Sequence, residues 1–306
     1  MKTRHMEKEI IHLIENSGPL TGSEILESIG GDGLSLWRTC RLSDRLAVRT
    51  IGARYLRLDR TVEGFARLSP SILREFLTYS VVGIQTNSDL IEEKAEGLLL
   101  HIEEVSRAKV ELAYRVIFSI ASRFESEWGL ENEICFIIGG DIVYNMAHDV
   151  PRPERSTGKL VTGSDMDIVV IVDDRFPDDL IKRLDDAIYR EKYKLLMAPH
   201  LKEEIDYIIK KLARVGEQVR FETFKHMVAC KILQEGTLLY GSEHLFNTVK
   251  DMLKAHGITN KLRDLEERAR IFRRDAEEYL VRADTEEIKD EKSSLFYPTE
   301  ESEEFE

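Results

Sequence analysis

The stretch VTGSDMDIVVIVDD, residues 161–174, constrains the fold more than any other part of the chain. From Ile168 onward it is a run of β-branched apolar residues, the composition of a buried strand. A buried strand must be covered, and the neighbouring segments supply the cover. EICFIIGG predicts a second apolar strand ending in two glycines, and EEIDYIIKK a third. FPDDLIKRLDDAIYREKYK and FETFKHMVACKILQEG predict helices, and DIVYNMAHD a helix opening directly after the glycines. VPRPERSTGKLVTG, with two prolines and several basic residues, predicts a loop. Together these segments predict an α/β (α+β) core over residues 131–242, with helices covering a mixed sheet.

Asp165 and Asp167 stand at the mouth of the buried strand. Side chains at i and i+2 of a strand share a face, so the two carboxylates project together. Like charges so placed repel unless a cation lies between them. Mg²⁺ is held by a few carboxylates and substrate phosphates, and a pair of such ions can clamp a phosphoryl transfer. Asp206 sits among apolar residues of the predicted third strand, where burial without a partner is costly. If the two strands are neighbours, the three carboxylates converge. Gly139 and Gly140 would let the backbone approach a triphosphate, with Ser164 adding a hydroxyl. Each feature also has a plain reading: a solvated strand end, a tight turn, an edge aspartate. It is their order along the chain that favours a metal site.

IGG (residues 138–140), DMDI (165–168) and the later Asp206 resemble the motifs of the nucleotidyltransferase superfamily that includes DNA polymerase beta and kanamycin nucleotidyltransferase. CKILQEGTLLYGS is similar to the end of the minimal nucleotidyltransferase domains, where a helix leads to an apolar-Tyr turn. The resemblance covers residues 131–242. It implies a nucleotidyltransferase core, with Asp165, Asp167 and Asp206 holding Mg²⁺ (Mn²⁺ as the alternative) and Gly139, Gly140 and Ser164 binding an NTP. The chain departs from the pattern in the long segment 141–164 between glycines and aspartates. Its Arg152, Arg155 and Lys159 either reach phosphates or solvate a loop, the latter being the simpler reading.

The flanks differ in character. Residues 1–75 read as three short helices and a β-ribbon at 47–59, the order of a winged helix. All basic residues from Arg38 to Arg74 are arginines, and Arg38, Arg41, Arg45, Arg49 and Arg54 are the candidates for DNA or RNA contact. The alternative is a set of surface ion pairs. Residues 76–130 read as a connector and a long helix, continuous or broken near Ser106. Residues 243–306 read as helices packing on that long helix or on a second subunit of a homodimer, followed by a solvated acidic tail.

Net charge of −13 argues against a nucleic-acid coat. Three widely spaced cysteines predict reduced core residues in a cytoplasmic protein and make zinc unlikely. The expected function is transfer of a nucleoside monophosphate from an NTP (ATP among them) to an acceptor hydroxyl of RNA, protein or a small molecule. The alternative is a nucleic-acid-binding regulator whose nucleotidyltransferase-like domain is catalytically silent. No membrane partner is expected.

Overall fold

A computed structural model describes residues 2–128, 132–154, 156–283 and 293–298. It is a mixed α/β protein whose larger sheet is itself mixed. Two compact units are built from interleaved pieces of chain. One holds 1–57, 66–101 and 266–306; the other holds 58–65 and 102–265.

The first unit begins with helix α1 (Lys2–Ser17), the short strand β1 (Leu20–Thr21), and helices α2 (Gly22–Ile29) and α3 (Gly33–Leu42). Thr21 and Glu24 cap α2 reciprocally, and Asp32 caps α3. Strands β2 (Leu46–Thr50), β3 (Tyr55–Leu58) and β4 (Ala66–Ser69) follow, then helix α4 (Ile72–Thr78) and strand β5 (Ser80–Ile84). Residues 47–59 do not form a ribbon with themselves: β2 pairs with β5, and β3 with β4. The segment expected to be a connector therefore supplies β5, the middle strand of a β1-β5-β2 antiparallel sheet. Its residues Val81 and Val82 are fully buried. Five residues are too few for periodicity to reveal, and their pairing is entirely long-range.

The core of this unit joins Ile10, Ile25, Leu36 and Phe76 to Ala276 and Leu280. The short helix α11 (Ser293–Phe296) falls within the expected solvated tail, yet Phe296 is buried with its ring 5.6 Å from that of Trp37. A single aromatic with a matching hollow outweighs the acidic surroundings. Residues 284–292 and 299–306 of that tail lie outside the described residues.

The long helix is continuous: α5 (Ser88–Trp128) gives its first turns to the first unit and residues 102–128 to the second. Ser106 does not break it. The buried hydroxyl instead accepts the N–H of Ala147 at 3.1 Å. The second unit's sheet has the order β10-β9-β6-β11, built from β6 (Ile134–Ile138), β9 (Met166–Val172), β10 (Ile205–Lys211) and β11 (Thr237–Gly241). Strand β11, which sequence reading took as a turn, lies antiparallel to β6. Strands β9 and β10 are parallel, joined through helix α6 (Asp178–Met197), while β6 runs antiparallel to β9. Met166, Ile168, Val170 and Val172 pack with α6 and with Ile117, Ile120 and Phe124 of α5. Val169 and Ile171 on the opposite face are also buried, so β9 is covered on both sides as its composition demands.

Helices α7 (Leu212–Gln218), α8 (Phe224–Glu235) and α9 (Glu243–Ala255) follow β10, and α9 packs on β6 and β9. Helix α10 (Ile258–Arg282) continues into the first unit from Glu266. After the glycines there is only a 3₁₀ turn, Asp141–Tyr144, where a helix was expected. The expected loop contains a small ribbon, β7 (Pro151–Pro153) with β8 (Leu160–Thr162). No described helix is long and apolar enough to cross a membrane.

Candidate active site

Strand β9 begins at Met166, so Asp165 lies just before it and Asp167 is its second residue. Met166, fully buried, points into the core, which turns Asp165 and Asp167 toward the other face. In the parallel register Asp206 of β10 is the direct partner of Asp167. The three sequence-assigned carboxylates thus share one face at one end of the sheet. The sheet does not close them into a cage. Among the described residues no three His, Cys, Asp or Glu side chains are gathered as a metal would need. Asp206 is half exposed, and Lys192 of α6 donates to its Oδ1 at 2.7 Å.

A fourth carboxylate joins them that the sequence reading did not select. Asp141 follows the glycines directly, and the Ser164 hydroxyl donates to its Oδ2. That position had been absorbed into the expected helix start, where an acidic residue needs no further explanation. Burial, reinforced by the charge of Asp165, pushes the Asp141 carboxyl up to about 7, although the Ser164 hydroxyl and the Lys109 ammonium oppose the shift. Burial also raises Asp167 well above the usual carboxylate range, with Asp165, Asp141 and Asp206 adding to it and Lys231 opposing. Asp141 and Asp167 are each half-buried.

The glycines have a geometric reason. Gly140 has φ +78°, and a Cβ there would stand 2.5 Å from Asp167 Oδ2. Only glycine permits this approach of the turn to the carboxylate. Gly163 is similar, since its φ is +63° and a Cβ would fall 1.8 Å from the His148 carbonyl oxygen. Both amides of the Gly139–Gly140 pair are engaged. The Gly139 N–H donates to the Asp167 carbonyl at 2.9 Å, and the Gly140 N–H to Glu235 Oε1 at 3.4 Å. Glu235 also accepts the Tyr144 hydroxyl at 2.7 Å and pairs with Lys231 at 2.7 Å. Ser164 is buried and accepts the His148 N–H at 3.0 Å while donating to Asp141. As folded, Gly139, Gly140 and Ser164 position Asp167 and Asp141, and none offers a free donor to a phosphate.

Arg152 does not solvate its loop. Its side chain is largely buried, its Nε donates to the Gly163 carbonyl at 2.8 Å, and its guanidinium lies 2.8 Å from Glu204 and 3.8 Å from Asp165. Lys109 of α5 likewise donates to the Thr162 carbonyl at 2.8 Å and to Glu203 at 2.5 Å. The approaches to β9 and β10 are therefore clamped by two largely buried cations, Arg152 and Lys109. Lys159 is exposed, and Arg155 lies outside the described residues.

The arginines of the first unit are mostly committed within it. Arg38 donates to the carbonyls of Val281 and Ala283, Arg45 pairs with Glu15 and Arg49 with Glu92. Arg54 donates twice to Glu75, at 2.5 and 2.6 Å, and also reaches Glu277. Arg41 is exposed on α3. Of the two readings offered by sequence, four of these five side chains take the ion-pair and capping one.

Carboxylates alone are hard oxygen donors, the chemistry that suits Mg²⁺ or Mn²⁺ rather than a softer metal. Asp165 and Asp167 could hold such an ion, and Asp206 would join as a ligand once Lys192 released it. No protein-family model matches the chain, and no curated protein matches it.

Proposed function

We propose that the second unit is a metal-dependent nucleotidyltransferase, moving a nucleoside monophosphate from an NTP to an acceptor hydroxyl. The observation that carries this reading is the parallel register of Asp167 with Asp206, with Asp165 two residues before Asp167 and Gly140 against its carboxylate. The motif resemblance of IGG, DMDI and Asp206 points the same way.

The reaction asks little covalent chemistry of the protein. The acceptor oxygen attacks the α-phosphorus, the bond to the oxygen bridging toward the β-phosphorus breaks, and pyrophosphate leaves. A bound Mg²⁺ or Mn²⁺ would neutralise phosphate charge. Asp165, Asp167 and Asp206 would hold it, and Asp206, the most exposed member, would accept the acceptor's proton. Arg152 and Lys109 keep the segments that carry these carboxylates in place, so catalysis is mainly positioning and charge neutralisation. The first unit, with its helices and β1-β5-β2 sheet, is read as a winged-helix-like module.

One observation favours the silent-regulator reading: the glycine amides and Asp206 are all occupied by protein partners. Incubation with each α-labelled NTP and Mg²⁺ in cell lysate separates the two. Transfer of label that Asp167→Asn abolishes, with the fold intact by circular dichroism, is expected. Label in no fraction gives the regulator, and equal transfer by the variant overturns the assignment of the site.

A further inference from the structure

Helix α6 carries a surface that the carboxylate site does not explain. Its first half holds Asp178, Asp179, Asp185 and Asp186 against Lys182 and Arg183. Its second half holds Arg190, Lys192 and Lys194 against Glu191 alone. Two tyrosines lie in that basic half, one turn apart. Tyr189 is 59% exposed and Tyr193 52% exposed, and neither ring is needed by the core.

Topology fixes where this half lies. Helix α6 joins two parallel strands and so runs back against them, returning its end to the end of the sheet where β9 and β10 begin. The Lys192–Asp206 bond at 2.7 Å pins the two together. A cleft of about 360 Å³ beside β9 and the edge strand β10 is lined by Asp167, Asp206, Ile208, Lys192 and Tyr189. Ile232 of α8, which packs against Gly139, closes its other side.

We infer that this face receives the acceptor, and that the acceptor is a single-stranded nucleic acid whose 3′-hydroxyl reaches Asp206. Aromatic rings interleaved with cations are the surface on which unpaired bases stack while phosphates are neutralised. Two rings at i and i+4 serve two successive bases, which a mononucleotide or small hydroxyl compound does not have. The acidic first half of α6 repels phosphate and limits the strand to the basic half. Lys192 leaves Asp206 for the terminal phosphodiester, which frees that carboxylate for the 3′-hydroxyl. The attacking oxygen of the transfer is then the 3′ oxygen, its proton passes to Asp206, and pyrophosphate leaves as before.

This assignment rests on the nucleotidyltransferase reading, but its binding step can be measured without turnover. The full chain is titrated into fluorescein-labelled single-stranded RNA and DNA 15-mers and a blunt duplex, without NTP or divalent metal, following anisotropy. Single strands are expected to bind better than duplex, and binding is expected to weaken as salt rises. Tyr189→Ala and Tyr193→Ala should each weaken it about tenfold, ~1.4 kcal/mol. Tyr→Phe at either position keeps the ring and should bind as the parent does. Absence of oligonucleotide binding, or alanine variants that bind like the parent, overturns the inference. Incorporation of labelled NTP is followed in parallel with Mg²⁺. Label on a protein or small molecule but never on the oligonucleotide overturns the acceptor and leaves the transferase standing. Ring-dependent binding with no label on any acceptor upholds the strand-binding face and overturns the transferase.

Discussion

Lys109→Met tests the buried clamp behind the site. Lys109 keeps only 3% of its side-chain surface exposed, and Glu203, its partner at 2.5 Å, keeps 13%. Methionine preserves the stem and its packing but removes the charge, leaving Glu203 without its cation and the Thr162 carbonyl without its donor. Breaking a buried pair from one side costs about 3–5 kcal/mol, because an uncompensated charge stays behind. Two charge-assisted hydrogen bonds at ~1.5–3 kcal/mol each give the same order. The second change, Glu203→Gln, removes that stranded charge. The double variant should therefore recover at least half of the loss, a coupling of about 2 kcal/mol that a double-mutant cycle reports. Urea denaturation followed by circular dichroism supplies the free energies, with equal m-values showing that the denatured state is unchanged. A single-variant loss under about 1 kcal/mol, or a double variant as unstable as the single, would refute the buried-pair reasoning.

Glu75→Ala should cost the first unit about 1–3 kcal/mol, seen as a lower melting temperature, because the buried Arg273 guanidinium 3.0 Å away and Arg54 lose a shared carboxylate and are left with Glu277 alone; a melting temperature within a degree of the parent would show that the network carries no net stability. Gly140→Ala should abolish NTP transfer and lower stability, since its Cβ has no room beside Asp167 and φ is +78°; full activity would remove the close-approach argument. The Asp141 carboxyl releases its proton near pH 4 when unfolded and near 7 when folded. The unfolded chain therefore binds fewer protons between those values, and Asp141 lowers stability as pH rises through that window and no further above it. Asp141→Asn removes this slope, so in metal-free urea titrations its advantage over the parent should grow from pH 4.5 to 7 by up to ~1.4 kcal/mol per unit; a difference that does not vary with pH refutes it.

Much of the second unit was legible because its signals are local. The apolar runs of β6 and β9 announce strands through composition, and the periodicity of α6 and α10 announces helices. Asp165, Asp167 and Asp206 could be named for the same reason: each interrupts or borders an apolar run. What failed were readings that depend on distant partners. SVVGI becomes the central strand only because β1 and β2 flank it. Arg152 looks like a loop cation until Glu204 and Asp165 are beside it. Four of the five candidate arginines are indistinguishable in sequence from a nucleic-acid face, and their partners Glu15, Glu92, Glu75, Val281 and Ala283 are remote along the chain.

The sequence by itself therefore determined that a doubly covered strand would carry two aspartates at its mouth, because side-chain alternation and burial act over two or three residues. The tertiary structure decided which groups attend them. It placed Asp206 opposite Asp167 through the β9–β10 register, brought Gly140 against the Asp167 carboxylate, and set Lys192 and the exposed tyrosines of α6 at the same end of the sheet. These choices are made by strand order and by the direction in which a crossover helix returns, quantities that no stretch of local sequence encodes.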